Sequence, residues 1–398
     1  MISVEEATAR VVAAFMPVES QTVAIEDAAG RVLAKDAHAR MTQPPAPVSS
    51  MDGYAVRAAD ATMAPVTLSV VGTSPAGHPF GRALLAGQAV RIFTGGVVPE
   101  GADAVVIQED ATAAGDTVTL NAAASPGRHI RAAGMDFKTG DILAPAGRRL
   151  TARDVSLLAA GDLAHLNVRR EPRIVFAATG DELLPPGHPH RPGGIVASSG
   201  YALAALIEKW GGQPVDLGIL PDSIEALARI ADHAADAELV VTLGGASVGD
   251  HDLIQRALGR RGFVPDFWKI AMRPGKPLIF GKLGATPLLG LPGNPVSTFV
   301  CATLFLRPAI AAMLGMRTQT PLVSARLARA IGANDMRQDY LRARLAIRDG
   351  EYWVEAFAVQ DSSMLSTLAA ADALILRAPH ASESGMGERV DVLPLADL

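Results

Sequence analysis

Leu243-Gly244-Gly245-Ala246-Ser247-Val248-Gly249-Asp250-His251-Asp252 decides how this chain is read. It follows Glu238-Leu239-Val240-Val241-Thr242, an apolar run of the kind that a parallel strand buried on both faces carries. Gly244, Gly245, Gly249 and Ser247 let backbone amides close on an anion, and Asp250 and Asp252 can hold a metal or a proton. A strand that runs into a glycine turn and then into polar groups is how an open α/β sheet builds a ligand site at its carboxyl edge. The segment lacks G-x-G-x-x-G, and no Gly-Lys-Ser/Thr follows, so neither a dinucleotide fingerprint nor a P-loop is present. The same residues also read as a plain glycine turn with a helix N-cap at Asp250.

Around this centre the chain alternates strand and helix. Arg173 to Ala178 reads as a strand, Tyr201 to Trp210 as a helix ended by Gly211-Gly212, and Pro214 to Leu220 as a strand. Ser223 to Ala234 reads as a helix, Leu239 to Leu243 as a strand, and Leu253 to Leu258 as helical. Leu278 to Phe280 and Pro287 to Leu289 read as strands, and Pro295 opens a long helix. Alternation at this pitch predicts a parallel α/β sheet. Outside it the pattern changes. Ser3-x-x-Glu6 caps a helix to about Met16, Pro44-Pro45-Ala46-Pro47 marks a boundary, and residues 48–136 alternate polar and apolar as an all-β module. Thr151-x-x-Asp154 caps another helix, and strands such as Leu341 to Ile347 and Tyr352 to Phe357 form a small β-rich C-terminal module.

The chain has 398 residues, and roughly 100–200 residues per domain predicts two to four domains. Hydrophobic residues make up 49% and charged residues 19%, which excludes a disordered chain. A net charge of −5 gives no broad basic surface, so no nucleic acid is expected as partner. The single cysteine, Cys301, excludes an internal disulfide framework. The N-terminus carries no signal-like apolar block, and the longest apolar run, Phe299 to Leu306, stops at Arg307-Pro308. No membrane span and a cytoplasmic location are the expectations.

Further segments repeat the strand-then-turn pattern. In Trp268-Lys269-Ile270-Ala271-Met272-Arg273-Pro274-Gly275-Lys276-Pro277, Lys269 and Arg273 are four apart, on one face of either a strand or a helix, and Lys276 follows in a Pro-Gly turn. Three cations there suit a multiply charged anion, unless the segment is a solvated loop. Thr179-Gly180-Asp181-Glu182 follows the first strand of the α/β unit. In Leu291-Pro292-Gly293-Asn294-Pro295-Val296-Ser297, Pro295 suits the first helical position and leaves amides free for an anion. Ser49-Ser50-Met51-Asp52-Gly53-Tyr54-Ala55-Val56, Phe93-Thr94-Gly95-Gly96 and Gly134-Met135-Asp136 each set a polar group beside glycine, as simple turns also do. The nine histidines show no metal-ligand spacing.

Together these segments resemble the molybdopterin molybdenumtransferases, the MoeA-type enzymes related to the gephyrin E domain. The matching pieces are Met51 to Val56, Thr94-Gly95 with Pro99 to Val106, Thr179 to Leu183, Gly244 to Asp252, Pro274 to Pro277 and Leu291 to Ser297, in the family's order over nearly the whole chain. The resemblance implies an α/β and β multidomain fold. Residues 1–45 and 138–170 would be an N-terminal helical linker domain and 46–137 an inserted β module. Residues 171–320 would be a three-layer α/β molybdopterin-binding domain with a parallel-rich sheet, and 321–398 a small C-terminal β domain. It implies a homodimer that inserts molybdate into adenylated molybdopterin with Mg²⁺, releasing AMP and giving the molybdenum cofactor. A molybdopterin adenylyltransferase and apo-molybdoenzymes are the further partners it suggests.

By resemblance, the catalytic group is Asp52, Asp136, Asp252, Lys269, Arg273 and Lys276, with Asp52 and Asp136 acting across the dimer. Thr94, Thr179, Gly180, Asp181, Glu182, Asp222, Gly244, Gly245, Ser247, Gly249, Asp250, Pro292, Gly293, Asn294 and Ser297 would bind substrate, and Glu182, Asp222 and Asp252 would hold Mg²⁺. Arg273 stands where the family often has lysine, Ala197 and Ser199 where an Asp and an Asn are expected, Pro47-Val48 where a polar pair is expected, and Leu243 where serine is common. Two other readings stay open: a non-catalytic gephyrin-like scaffold, and another Mg²⁺-dependent molybdopterin-processing enzyme such as an adenylyltransferase.

Overall fold

The computed structural model describes residues 1–244, 251–319 and 321–395, without the side chains of 251–253 and 255. Its centre is a six-stranded sheet in the order Gln213–Leu220, Arg173–Thr179, Leu239–Leu243, Thr286–Leu291, Pro277–Leu283, Phe263–Lys269. The first four strands are parallel, Pro277–Leu283 runs against them, and Phe263–Lys269 pairs antiparallel with Pro277–Leu283. The reversal has a local cause. Only Gly284 and Ala285 separate Leu283 from its partner Thr286, and so short a link admits a hairpin but not a crossover. Strict strand–helix alternation therefore ends at the hairpin, and the sheet is mixed rather than wholly parallel.

Leu239–Leu243 is buried along its whole length, so both faces of the sheet are covered. Ile174, Phe176, Val241 and Leu289 pack on one side against the helices Ser199–Trp210 and Pro295–Met313. Ala177, Val240 and Leu288 pack on the other side with Leu227, Ile230, Ile254 and Leu258. The alternation follows from the two-residue period of a strand. The stretch read as one helix from Ser223 divides into an α-helix, Ile224–Ala228, and a 3₁₀ segment, Arg229–Asp236.

The first helix, Val4–Ala13, presents Val4, Ala7 and Val11 on one face and joins the same core as Ile310 and Met313. It thus packs against the α/β layer. Ile2 reinforces this, its amide donating to the Lys269 carbonyl at 3.2 Å. The helix from Pro295 does not stop at Arg307-Pro308. It passes through a π-helical stretch, Ala302–Leu306, into Arg307–Met313. Pro308 cannot donate to the carbonyl four residues back, that of Leu304, and the wider turn accommodates the loss while Thr8 Oγ1 approaches that carbonyl at 3.5 Å. Pro295–Met313 is long and apolar enough to cross a membrane, but 72% of it is buried inside the protein.

The linker is built from chain on both sides of the β module. Ser20–Ala24 pairs with His165–Arg169, and Ala37–His38 with Ile142–Ala144. The intervening module is a sheet in the order Ala104–Ile107, Gly53–Val56, Gln88–Ile92, Val66–Ser74, Thr117–Leu120, Ala111–Ala114. Gly53 is obligatory there, because a Cβ would lie 2.0 Å from the Val106 carbonyl oxygen. In the C-terminal part, Gln338–Arg348 pairs with both Glu351–Ala356 and Ala373–Arg377, which closes the sheet into a small barrel. Met272–Arg273 joins this barrel beside Gln338–Asp339 and so stitches it to the α/β domain.

Candidate active site

The chain leaves Arg173–Thr179 for the neighbour on one side, Gln213–Leu220, and then returns to the other side as Leu239–Leu243. This is the switch point of the sheet, where an open α/β fold leaves a crevice. A cavity of about 850 Å³ lies there, lined by Thr179, Gly244 and Pro292-Gly293-Asn294 at the carboxyl ends of three strands. The strand ends meet closely. Gly244 sits at φ +98°, a Cβ on it would meet the Thr179 carbonyl oxygen at 2.7 Å, and its amide donates to the Leu291 carbonyl at 3.0 Å. Only glycine satisfies both the left-handed backbone and the contact.

Beyond Gly293, Asn294 takes the N-cap position and Pro295 the first helical position, as expected. Thr298 Oγ1 donates to the Pro292 carbonyl at 2.6 Å and fixes the turn. The amides of the first turn are not all free, however. Val296 N donates to the Ser362 carbonyl at 3.2 Å, and Asn294 Nδ2 to Ser362 Oγ at 3.0 Å. The C-terminal barrel therefore forms the facing wall, with Arg337, Gln360, Asp361, Ser362 and Ser363 in the lining. Sequence reasoning missed all five. The polar run Gln360-Asp361-Ser362-Ser363 between a strand and a helix was the available signal. Fully buried Arg342 anchors this loop by donating to the Asp361 carbonyl at 2.8 Å and to Gln360 Oε1 at 3.2 Å.

The three expected cations separate. Lys269 ends an edge strand opposite Pro277 and does not line the cavity. A spacing of four gives one face only in a regular element, and here Met272 N donates to the Ile270 carbonyl and breaks the strand. Arg273 lines the cavity, but its fork is engaged. Nε donates to Asp339 Oδ1 at 2.9 Å, Nη2 pairs with Asp339 Oδ2, and Asp335 lies 3.5 Å from Nη1. Asp339 is buried and requires that counter-charge, and the pairing holds the guanidinium above its ordinary pKa. Lys276 is exposed in the cavity and has no ion-pair partner among the described residues.

Glu182 and Asp222 bring carboxylates to the same lining, together with Ser297 and Thr179. Asp181 and Gly180 do not line it. The Asp181 carboxylate instead accepts the Asp222 amide at 3.1 Å and so supports that loop. The side chain of Asp252 and all of Gly245, Ser247, Gly249 and Asp250 lie outside the described residues. Among the described residues no group of three or more His, Cys, Asp or Glu is placed to hold a metal. Asp52, Thr94 and Asp136 belong to the β module, away from the cavity lining. Asp52 Oδ1 accepts from Thr94 N at 2.7 Å and Thr94 Oγ1 at 2.8 Å, bonds that hold its carboxyl below the ordinary range. Asp136 is exposed, and its amide donates to the Gln43 carbonyl at 3.1 Å.

Three family profiles match the chain in order. They are the MoeA N-terminal region (domain I and II) over residues 2–161, a probable molybdopterin binding domain over 176–312, and the MoeA C-terminal region (domain IV) over 324–395. The chain is 36% identical over 392 residues to a molybdopterin molybdenumtransferase of Haemophilus influenzae, covering 96% of this chain and 95% of that one. It is 35% identical over 388 residues to a protein of the same name from Nostoc sp., covering 95% of this chain and 89% of that one. Among solved structures, a molybdopterin biosynthesis MoeA protein from Pyrococcus horikoshii OT3 superposes with a TM-score of 0.85 at 26% identity, covering 98% and 99% of the two chains.

Proposed function

The chain belongs to the molybdopterin molybdenumtransferase family, and from that membership we propose that its cavity inserts molybdate into adenylated molybdopterin, with release of AMP. The observation that carries the proposal is that Lys276, a cation with no ion-pair partner among the described residues, and the carboxylates Glu182 and Asp222 line one cavity at the sheet's switch point. Molybdate and the phosphoanhydride are both anions and repel each other at close range. Lys276 screens that repulsion as a mobile point charge, and the N-terminal turn at Asn294 to Ser297 adds the positive end of a long helix. Arg273 shapes the wall through Asp339. Arg337, held at 3.0 Å from Asp335, offers a second cation from the barrel side.

Glu182 and Asp222 fit Mg²⁺, which takes oxygen donors and keeps several waters, so two carboxylates suffice. When bound, the ion would supply positive charge to the phosphate oxygens. Gly244 and Gly293, without side chains, let the phosphates approach the backbone. A homodimer accounts for Asp52, Thr94 and Asp136, which face solvent on the β module and would complete a partner's cavity.

The test is AMP release from adenylated molybdopterin in the presence of Mg²⁺, with and without molybdate. Release that requires both ions, with the product able to activate an apo-molybdoenzyme, is the expected result. No molybdate-dependent release from purified dimer would overturn the reading.

A further inference from the structure

A second cavity, of about 210 Å³, lies between the linker and the α/β domain, away from the site described above. Arg31, Arg149 and Arg169 line it from the linker side, Glu171 from the junction with the α/β domain, and Glu208 and Gly211 from the end of the helix Ser199–Trp210. Each arginine is fixed by a backbone carbonyl. Arg31 Nη2 donates to Arg169 O at 2.9 Å, Arg149 Nε to Gly30 O at 2.9 Å, and Arg169 Nη1 to Val18 O at 2.7 Å. The guanidiniums are thereby held in place with donors to spare, since each carries five N–H groups.

The terminal nitrogens of Arg149 have no protein acceptor among the described residues, and Arg169 Nε is a buried donor without a partner. Burial holds Arg149 below its ordinary pKa, with the Glu171 charge opposing that fall. Room for a ligand exists because residue 211 is glycine, at φ +93°, where a Cβ would stand 3.0 Å from Arg149 Nη2. Of the two carboxylates, Glu171 is 3.8 Å from Arg31, and Glu208 has no partner among the described residues.

We propose that this pocket binds inorganic phosphate as hydrogenphosphate. Three guanidiniums against two carboxylates leave a net positive site, and guanidinium is the group that oxyanions pair with best. An unpaired carboxylate beside them selects among oxyanions. Hydrogenphosphate keeps a P–OH that donates to Glu208, whereas sulfate and molybdate are fully deprotonated at neutral pH and would set oxygen against oxygen. The pocket so built stays free of molybdate, and phosphate in it ties the linker to the α/β domain.

The probe is inorganic phosphate, with binding followed by calorimetry on the full-length protein carrying Lys276→Ala, so that anion binding in the large cavity is weakened, and Arg149 variants on that background report the linker pocket. One phosphate site is expected, with no binding of sulfate or molybdate and a melting temperature that rises with phosphate. Arg149→Ala should weaken phosphate tenfold or more. Arg149→Lys should do the same, because one ammonium cannot replace the fork. Glu208→Gln, on an exposed helix end, should admit sulfate. Melting curves without phosphate report any loss of folding in the arginine variants. Absence of phosphate binding, unaltered affinity in folded Arg149→Lys, or sulfate binding as tight as phosphate before Glu208 is changed would each overturn the proposal.

Discussion

Lys276 and Arg273 sit three residues apart on one loop and line one cavity, yet their chemistry differs. Lys276 has no ion-pair partner among the described residues, while Arg273 is committed to buried Asp339. A charge-assisted hydrogen bond contributes about 1.5–3 kcal/mol, so Lys276→Ala should weaken molybdate or the adenylated pterin roughly tenfold to a hundredfold. As an exposed side chain it should leave the melting temperature almost unchanged. Arg273→Ala should show the reverse. It strands the Asp339 carboxylate, a loss of roughly 1–3 kcal/mol in stability, with a smaller effect on binding. Titrating molybdate at saturating pterin, with melting curves alongside, separates the two. If Lys276→Ala binds like the parent and melts lower, the assignment is reversed. The spacing of these residues was plain in the sequence, but their division of labour was not. It depends on Asp339, 66 residues further along, whose burial no local pattern announces.

At the scale of elements, the helix Ala152–Ala160 shows how far local signals reach. Thr151 and Asp154 form the reciprocal capping box that the sequence predicts. Burial alone would raise the Asp154 carboxyl, but hydrogen bonds from Arg148 and Thr151 outweigh it and hold the pKa at about 2, against an ordinary 3.8. A carboxyl depressed on folding stabilises above its unfolded pKa and loses that contribution as pH falls through the folded one. Asp154→Ala should therefore cost on the order of 2 kcal/mol at pH 7. The gap to the parent should close between pH 3.8 and about 2. A gap that stays constant across that range, followed by melting temperature, would mean that packing and not charge is responsible. The strand ends at Thr179, Gly244 and Gly293 were legible for the same reason, since glycine turns after apolar runs are local. Lys269 parts from Arg273 because a shared face at a spacing of four needs a regular element, and the turn at Ile270 to Met272 interrupts it. The barrel wall was missed because Ser362 meets Asn294 only through tertiary docking across 68 residues.

In the whole molecule, the cavity takes its walls from the α/β domain and the C-terminal barrel, while Asp52, Thr94 and Asp136 lie on a module inserted between two halves of the linker. Asp52 is already satisfied by Thr94 and lies at the surface, so removing its carboxylate should leave the fold intact. If these residues complete the cavity of a second subunit, activity depends on which subunit carries which change. At molybdate and pterin concentrations well below saturation, Asp52→Ala homodimers and Lys276→Ala homodimers should both lose most molybdate-dependent AMP release. A heterodimer of the two places both changes in one of its shared sites and neither in the other, by the two-fold symmetry of such a pair. Co-expression with two affinity tags isolates that heterodimer, and about half of the parent activity per dimer is expected. Inactive heterodimers of verified composition would place Asp52 in the same subunit's chemistry. Full activity of the Asp52→Ala homodimer would remove the β module from the reaction and leave it a structural role.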